Sequence, residues 1–127
     1  KTMKRSETKV QIDLDITPIK LPITQAIPCG LLLNEIITNS YKHAFKGKKR
    51  GRIIVSLSKK QERICLSIKD DGVGLPEQPK SSIQSSLGMT LIKTLAKQLN
   101  ATFDFRSDGG AIFEFEFSKG EEVKLNK

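Results

Sequence analysis

The stretch Leu33-Asn34-Glu35-Ile36-Ile37-Thr38-Asn39-Ser40-Tyr41-Lys42-His43-Ala44-Phe45 decides the fold of this 127-residue chain. With its lead-in it predicts one strong helix over residues 28–45, with Thr24 as N-cap, Pro28 tolerated near the start, and Gly47 closing the end. At about 100° per residue, Leu33, Ile36, Ile37, Ser40 and Ala44 share one side. Glu35, Asn39, Lys42 and His43 gather on the other, within a sector of about 100°. A helix so divided buries one side and presents an acid, an amide, a cation and an imidazole on the other.

Strands flank this helix. Val10, Ile12, Leu14 and Ile16 alternate with polar residues, predicting a half-buried strand over 9–16 that Pro18 and Pro22 end. Ile53, Val55 and Leu57 predict a strand over 52–58, and Ile64, Leu66 and Ile68 one over 62–69, joined at Lys59-Lys60-Gln61. Residues 70–87 form a long loop rich in Asp, Gly, Pro, Gln and Ser, of the length that functional lids have. A second helix spans 88–99, with Met89, Leu91, Ile92, Leu95, Ala96 and Leu99 apolar. A hairpin over 102–107 and 111–118 turns at Asp108-Gly109-Gly110, and Phe113, Phe115 and Phe117 mark its buried face. The expected architecture is α/β: a two-layer sandwich in which a mixed, mostly antiparallel sheet is covered on one face by helices and left partly wet on the other.

The length fits a single domain over 1–127, with a core of about 9–118 and a charged tail over 119–127. The chain opens on Lys1 rather than Met, so it is expected to be a piece of something longer. No apolar run approaches the ~20 residues of a membrane helix, and no signal peptide is visible. With 22 Lys plus Arg against 14 Asp plus Glu, the formal charge is +8 and favours anionic partners. Cys29 and Cys65 are too few for a disulfide framework, and both are expected as small core residues. One histidine and no clustered cysteine exclude a structural zinc site.

Three segments carry chemistry. On the first helix, Glu35, Asn39 and His43 stand one turn apart with Lys42 beside them; asparagine is a poor mid-helix residue, and its amide oxygen suits Mg²⁺. Asp70-Asp71-Gly72-Val73-Gly74-Leu75-Pro76 follows a strand, its glycines allow a planar ligand to approach, and Asp70 can accept from an amine such as an adenine N6. Ser85-Ser86-Leu87-Gly88-Met89 opens the second helix, whose free amides and dipole favour a phosphate chain. Each has an ordinary reading when taken alone: a solvent face, an Asp-Gly turn, a serine cap. The spacing fits neither a dinucleotide fingerprint nor a P-loop.

Together, in this order, they resemble the ATP-binding catalytic domain of sensor histidine kinases, in the wider family of gyrase, Hsp90 and mismatch-repair ATPases, with its Bergerat-type ATP-binding fold. The resemblance runs from about Val10 to Phe117. Residues 33–45 resemble the N box, Asp70–Leu75 the first glycine box, Ser86–Met89 the second, and Asp108–Phe113 the final Gly-Thr-x-Phe turn. Leu21–Ala26 and the Leu-Asn-Glu opening are most similar to the short-lid subfamily, which often senses light.

The resemblance implies that Asn39 holds Mg²⁺ bridging the ATP phosphates and that Lys42 and His43 contact those phosphates. Glu35 stands where ATP-hydrolysing relatives keep a general base. Asp70 reads the adenine amine, Gly72 and Gly74 make room for the ring, residues 76–87 are the ATP lid, and Ser86, Leu87, Gly88 and Met89 border the phosphates. The implied activity is donation of the γ-phosphoryl of ATP to a histidine on an upstream dimerisation domain, with a response regulator as further partner. The implied location is the cytoplasm, or the cytoplasmic part of a membrane sensor. No nucleic-acid or membrane contact is expected of this chain.

The sequence departs from the family at Ser86, where many members have Gly, and at Ala111, where Thr is usual. The family's phenylalanine box is absent between Gly74 and Ser86. The sole histidine, His43, lies inside the N box, so autophosphorylation is not expected of this chain alone. The alternatives are a serine kinase or degenerate ATP-binding regulator of the same fold, and a basic nucleic-acid-binding module, which the few aromatics disfavour.

Overall fold

The computed structural model describes residues 2–5, 8–45, 47, 49–73 and 87–121. Six strands form one sheet in the order β1-β2-β3-β4-β6-β5. They are β1 (Thr2–Arg5), β2 (Thr8–Ile16), β3 (Arg50–Lys60), β4 (Arg63–Asp70), β5 (Thr102–Ser107) and β6 (Ala111–Ser118). Only β2 and β3 run parallel, with Lys9 opposite Arg50 and Ile16 opposite Leu57; every other pairing is antiparallel. Helix α1 (Ile23–Asn39) makes the crossover that this parallel pair needs, and α2 (Leu87–Gln98) packs beside it. The expected two-layer arrangement is the one observed.

Alternation decides which face is dry. Ile53, Val55, Ile64, Leu66, Ile68, Phe113, Phe115 and Phe117 are buried and join Leu32, Ile36, Ile92, Leu95 and Ala96 of the helices in one core. Phe105 stacks on Phe103 at 5.1 Å and tilts against Phe113, extending the core toward the β5 edge. The open face is polar. Asp13 pairs with Arg52, Arg63 with Glu116, and Arg106 with both Asp104 and Glu114. The Arg106 hydrogen bond holds the Glu114 carboxyl below its usual range. Such exposed pairs add little stability individually and mainly keep the face wet.

Several boundaries differ from expectation. Helix α1 starts at Ile23, not 28, and its N-cap is Pro22, not Thr24. The Pro22 carbonyl accepts from the Gln25 and Ala26 amides, so backbone alone starts the helix. Pro28 therefore sits inside α1, buried, and forgoes one intrahelical bond. Regular α geometry ends at Asn39, and Ser40–Ala44 form a π-helical turn. The β3–β4 turn falls at Gln61-Glu62, with Gln61 at φ 57°. Strand β1 has no alternation in the sequence that announces it and is added as an antiparallel edge on β2.

The tail begins tied down. The Lys119 amide donates to the Glu62 carbonyl, and the Gly120 amide donates to Gln25 Oε1. Gln25 in turn donates to the Ser118 carbonyl, which anchors the start of α1 to the end of β6.

The cysteines divide. Cys29 is buried as expected, and burial pushes its thiol up. Cys65 is exposed, which corrects the expectation: it lies between inward Ile64 and Leu66 on β4, so the period of two turns it to the open face. A thiol reagent at pH 8 should therefore modify one cysteine rapidly in the folded chain and the second only on unfolding. Protection should survive in Cys65→Ser and disappear in Cys29→Ala.

Candidate functional site

The C-terminal end of α1, the end of β4 and the start of β6 meet at Asp70. Its carboxylate is 8% exposed and is surrounded by donors. Oδ1 accepts from the Gly72 amide at 2.9 Å and the Ala111 amide at 3.0 Å. Oδ2 accepts from Ser40 Oγ at 3.1 Å. A buried carboxylate is costly unless it is hydrogen-bonded, and here three donors from three segments meet that requirement.

The loop after Asp70 is held just as closely. The Asp71 amide donates to the Arg52 carbonyl at 3.2 Å, and the Arg52 amide donates back to Asp71 Oδ1 at 2.8 Å. The Val73 amide reaches the Ala44 carbonyl at 2.8 Å, so the π-helical turn and the loop are hydrogen-bonded directly. A Cβ at Gly72 would stand 2.2 Å from that carbonyl oxygen, which is why no side chain fits there. A Cβ at Gly110 would stand 1.8 Å from the Asp70 carbonyl oxygen, and Gly110 also has φ 140°.

The polar side of α1 faces the start of α2. Glu35 and Asn39 are half-buried, and a Cβ on Gly88 would lie 2.7 Å from Glu35 Oε2 and 3.0 Å from Asn39 Nδ2. The first turn of α2 thus closes on the acid and amide predicted from sequence. Lys42 is exposed on the π-helical turn, and the His43 backbone lies in the same turn. Leu87 opens α2, and Met89 is buried in the core rather than open to a ligand. Gly74 and the expected lid over 76–87, Ser86 included and Leu87 excepted, lie outside the described residues.

Sequence reasoning missed Ser40. It was grouped with the apolar side of the helix, and it is indeed buried, at 5% exposure. The signal was present: a hydroxyl on an apolar stripe needs a partner, and Asp70 is that partner.

One residue can contribute to a metal site here, but a protein cage is absent: no group of three His, Cys, Asp or Glu able to hold an ion occurs among the described residues. An amide such as Asn39 suits Mg²⁺, which keeps several waters and takes its other ligands from substrate phosphates. A concavity of about 350 Å³ elsewhere, on the open sheet face, is lined by Glu114 and Glu116, carboxylates already paired with Arg106 and Arg63.

Residues 24–121 match the family model described as histidine kinase-, DNA gyrase B-, and HSP90-like ATPase. The chain belongs to this family. It is an ATP-binding domain of the histidine kinase type. Blue-light-activated histidine kinase 2 of Erythrobacter litoralis is 27% identical over 123 residues, which cover 95% of this chain and 35% of that protein. The chain thus spans about a third of this relative's length. Serine-protein kinase RsbW of Listeria innocua is 26% identical over 110 residues, covering 76% of this chain and 68% of that protein. Among solved structures, the histidine kinase domain of the E. litoralis EL346 blue-light-activated kinase superposes with a TM-score of 0.79 at 24% identity, over 87% of this chain and 52% of that one. That likeness is one of fold. Among the described residues no helix is long and apolar enough to cross a membrane.

The close approach at Gly110 makes a stability prediction. Gly110→Ala should cost on the order of 3 kcal/mol, because the backbone must move away from Asp70 and the φ is strained. Gly109→Ala, at φ 68° with nothing within 4 Å, should cost only about 1 kcal/mol. Urea unfolding of the two variants checks the difference.

Proposed function

We propose that this chain binds Mg-ATP between the polar side of α1 and the start of α2, and donates the γ-phosphoryl to a histidine on a separate phosphoacceptor and dimerisation domain of a two-component sensor kinase. The observation that carries the reading is Asp70. Among the described residues its Oδ1 accepts from two backbone amides and its Oδ2 from the Ser40 hydroxyl, and a carboxylate oxygen has a second lone pair with which to accept from an exocyclic amine.

On this reading Asp70 binds the adenine amine, and Gly72 and Gly74 flank the ring. The Asn39 amide oxygen would hold Mg²⁺ together with the phosphates. Lys42 and His43 neutralise phosphate charge, and Glu35 orients the attack or the metal. Ser86, Leu87 and Gly88 border the phosphate chain, with backbone at Gly88 offered to it, while Met89 packs in the core beneath them. Bound Mg²⁺ supplies charge neutralisation on the transferring phosphoryl. Phosphoryl transfer depends mostly on positioning and charge, so this set serves as the donor half of a kinase. The acceptor half, a response regulator downstream and a cytoplasmic setting complete the proposal.

A serine acceptor is the second reading, favoured by the likeness to RsbW, which covers twice the fraction of its relative that the blue-light kinase match covers. The two separate by chemistry. Full-length protein incubated with Mg-ATP should carry a phosphoryl group that acid removes and base preserves if the acceptor is histidine. The opposite stability indicates serine.

Nucleotide binding is tested first by thermal melting. At a hundredfold excess over Kd, Mg-ATP should add about 2.7 kcal/mol, a rise in Tm on the order of 10 °C. Asp70→Asn should abolish the gain, since an amide NH₂ at Oδ2 opposes an amine. Asn39→Ala should remove only the part that EDTA also removes. If Asp70→Asn gains as much as the parent, Asp70 does not read the base.

A further inference from the structure

We propose that Ser40 is a positioning residue for nucleotide specificity: its hydroxyl fixes the Asp70 carboxylate so that the free acceptor position on Oδ2 discriminates a base bearing an exocyclic amine. The proposal rests on the reading of Asp70 as the base-binding group and deepens it.

The geometry of the carboxylate carries the inference. Two amides hold Oδ1, one from Gly72 in the adjoining loop and one from Ala111 on β6. Those two bonds restrain the broad terminal torsion of aspartate from one side, because turning it would carry Oδ1 away from both amides. The third bond is different. Ser40 Oγ reaches Oδ2 at 3.1 Å from α1, thirty positions away in sequence, and is itself buried. Ser40 adds the restraint on the second oxygen and occupies one side of Oδ2, so it decides the direction in which Oδ2 accepts.

Ser40 is costly where it stands unless the hydroxyl is used. Alanine is the better helix former and would fill the same buried side of the turn. Ser40 is also where the helix changes: its amide donates to both the Ile36 and Ile37 carbonyls, and the π-helical turn begins with it. Such turns recur at functional sites. This one places the Ser40 hydroxyl on Asp70 and the Ala44 carbonyl on Val73, so both sides of the Asp70 loop are held from one helical turn.

A fixed acceptor discriminates better than a mobile one. An amine on the base donates to it. A carbonyl at the same position meets a carboxylate and is repelled, and a bare ring carbon leaves the acceptor unpaired.

The test compares ATP with purine riboside triphosphate, which lacks only the exocyclic amine, in the parent and in Ser40→Ala, by calorimetry with Mg²⁺ present. The parent should prefer ATP by at least about tenfold, the worth of a hydrogen bond to a charged group. Ser40→Ala should narrow that preference by about three- to tenfold, chiefly through weaker ATP binding. A general packing defect lowers both affinities together and leaves the ratio unchanged, and that result overturns the proposal. If the parent binds both nucleotides equally, the assignment of Asp70 fails and the role of Ser40 fails with it. If Ser40→Ala does not fold, Ser40→Cys, with similar shape and a weaker donor, should narrow the ratio in the same direction, and an unchanged ratio there overturns the proposal equally.

Discussion

The carboxylate of Asp70 is the constraint on which the site depends. It ends a central strand, yet it takes hydrogen bonds from the helical turn that follows α1, from its own loop and from the first residue of β6. Removing it would strand two backbone amides and a buried hydroxyl, each worth about 1–3 kcal/mol when left unpaired. The same group therefore orders the protein and, on the proposed reading, selects the ligand. This double use explains the crowding around it: the β5–β6 turn comes so near that Gly110 has no room for a Cβ, and the π-helical turn so near that Gly72 has none.

The sheet explains why that cluster forms at one end. Antiparallel pairing of β4 with β6 brings Lys69 opposite Ile112, so the end of one strand and the start of the other coincide. Antiparallel pairing of β3 with β4 sets Ile53 opposite Asp70 and lets Arg52 tie Asp71 from both amide and carbonyl. Helix α1 then runs from the opposite end, where Gln25 holds Ser118 and Gly120, and brings its polar side to Gly88 while the turn that follows it brings Ser40 to Asp70. The core of alternating Ile, Leu and Phe does no chemistry, but it fixes the spacing between these groups.

Much of this was legible in the chain. Period-two alternation predicted β3, β4 and β6 because each has one dry and one wet face, the condition under which alternation is informative; it also announced β2, where Val10 is buried but Leu14 and Ile16 are exposed, and β5 followed from the turn at Asp108-Gly109-Gly110. The same rule, applied strictly, would also have put Cys65 on the wet face; its apolar neighbours misled only because they were read as a cluster rather than as a register. The start of α1 was hidden because backbone groups, not a side chain, cap it, and because Leu31, Leu32 and Leu33 form a run in which only Leu32 is fully buried. Strand β1 was hidden because Thr2–Arg5 carries no apolar alternation and forms by edge pairing alone. At the site, Glu35 and Asn39 were read as one helix face and Gly88 as a separate helix start, and the fold sets the two against each other. Ser40 was hidden by the π-helical turn, since a uniform 3.6-residue period treats a buried serine as one more member of the dry stripe.

The distribution of chemistry over the site bears on what can act as phosphoacceptor. On the proposed reading the base end is the Asp70 cluster, whose carboxylate is held by donors from a strand, a tight loop and a helical turn. On the same reading the phosphate end is one helix face and the first turn of another, and among the described residues no group of three His, Cys, Asp or Glu able to hold a metal lies there. A metal held by the Asn39 amide would depend on the nucleotide for its remaining ligands, so metal and triphosphate would arrive as a unit. Such a pocket determines the donor and leaves the acceptor to be selected by whatever surface delivers it to the γ-phosphoryl. That division accounts for one fold serving relatives named as histidine kinases and as a serine-protein kinase. On this argument, selectivity for ATP and selectivity for the acceptor are separable properties, the first set by the carboxylate that Ser40 holds and the second by the approach to the start of α2.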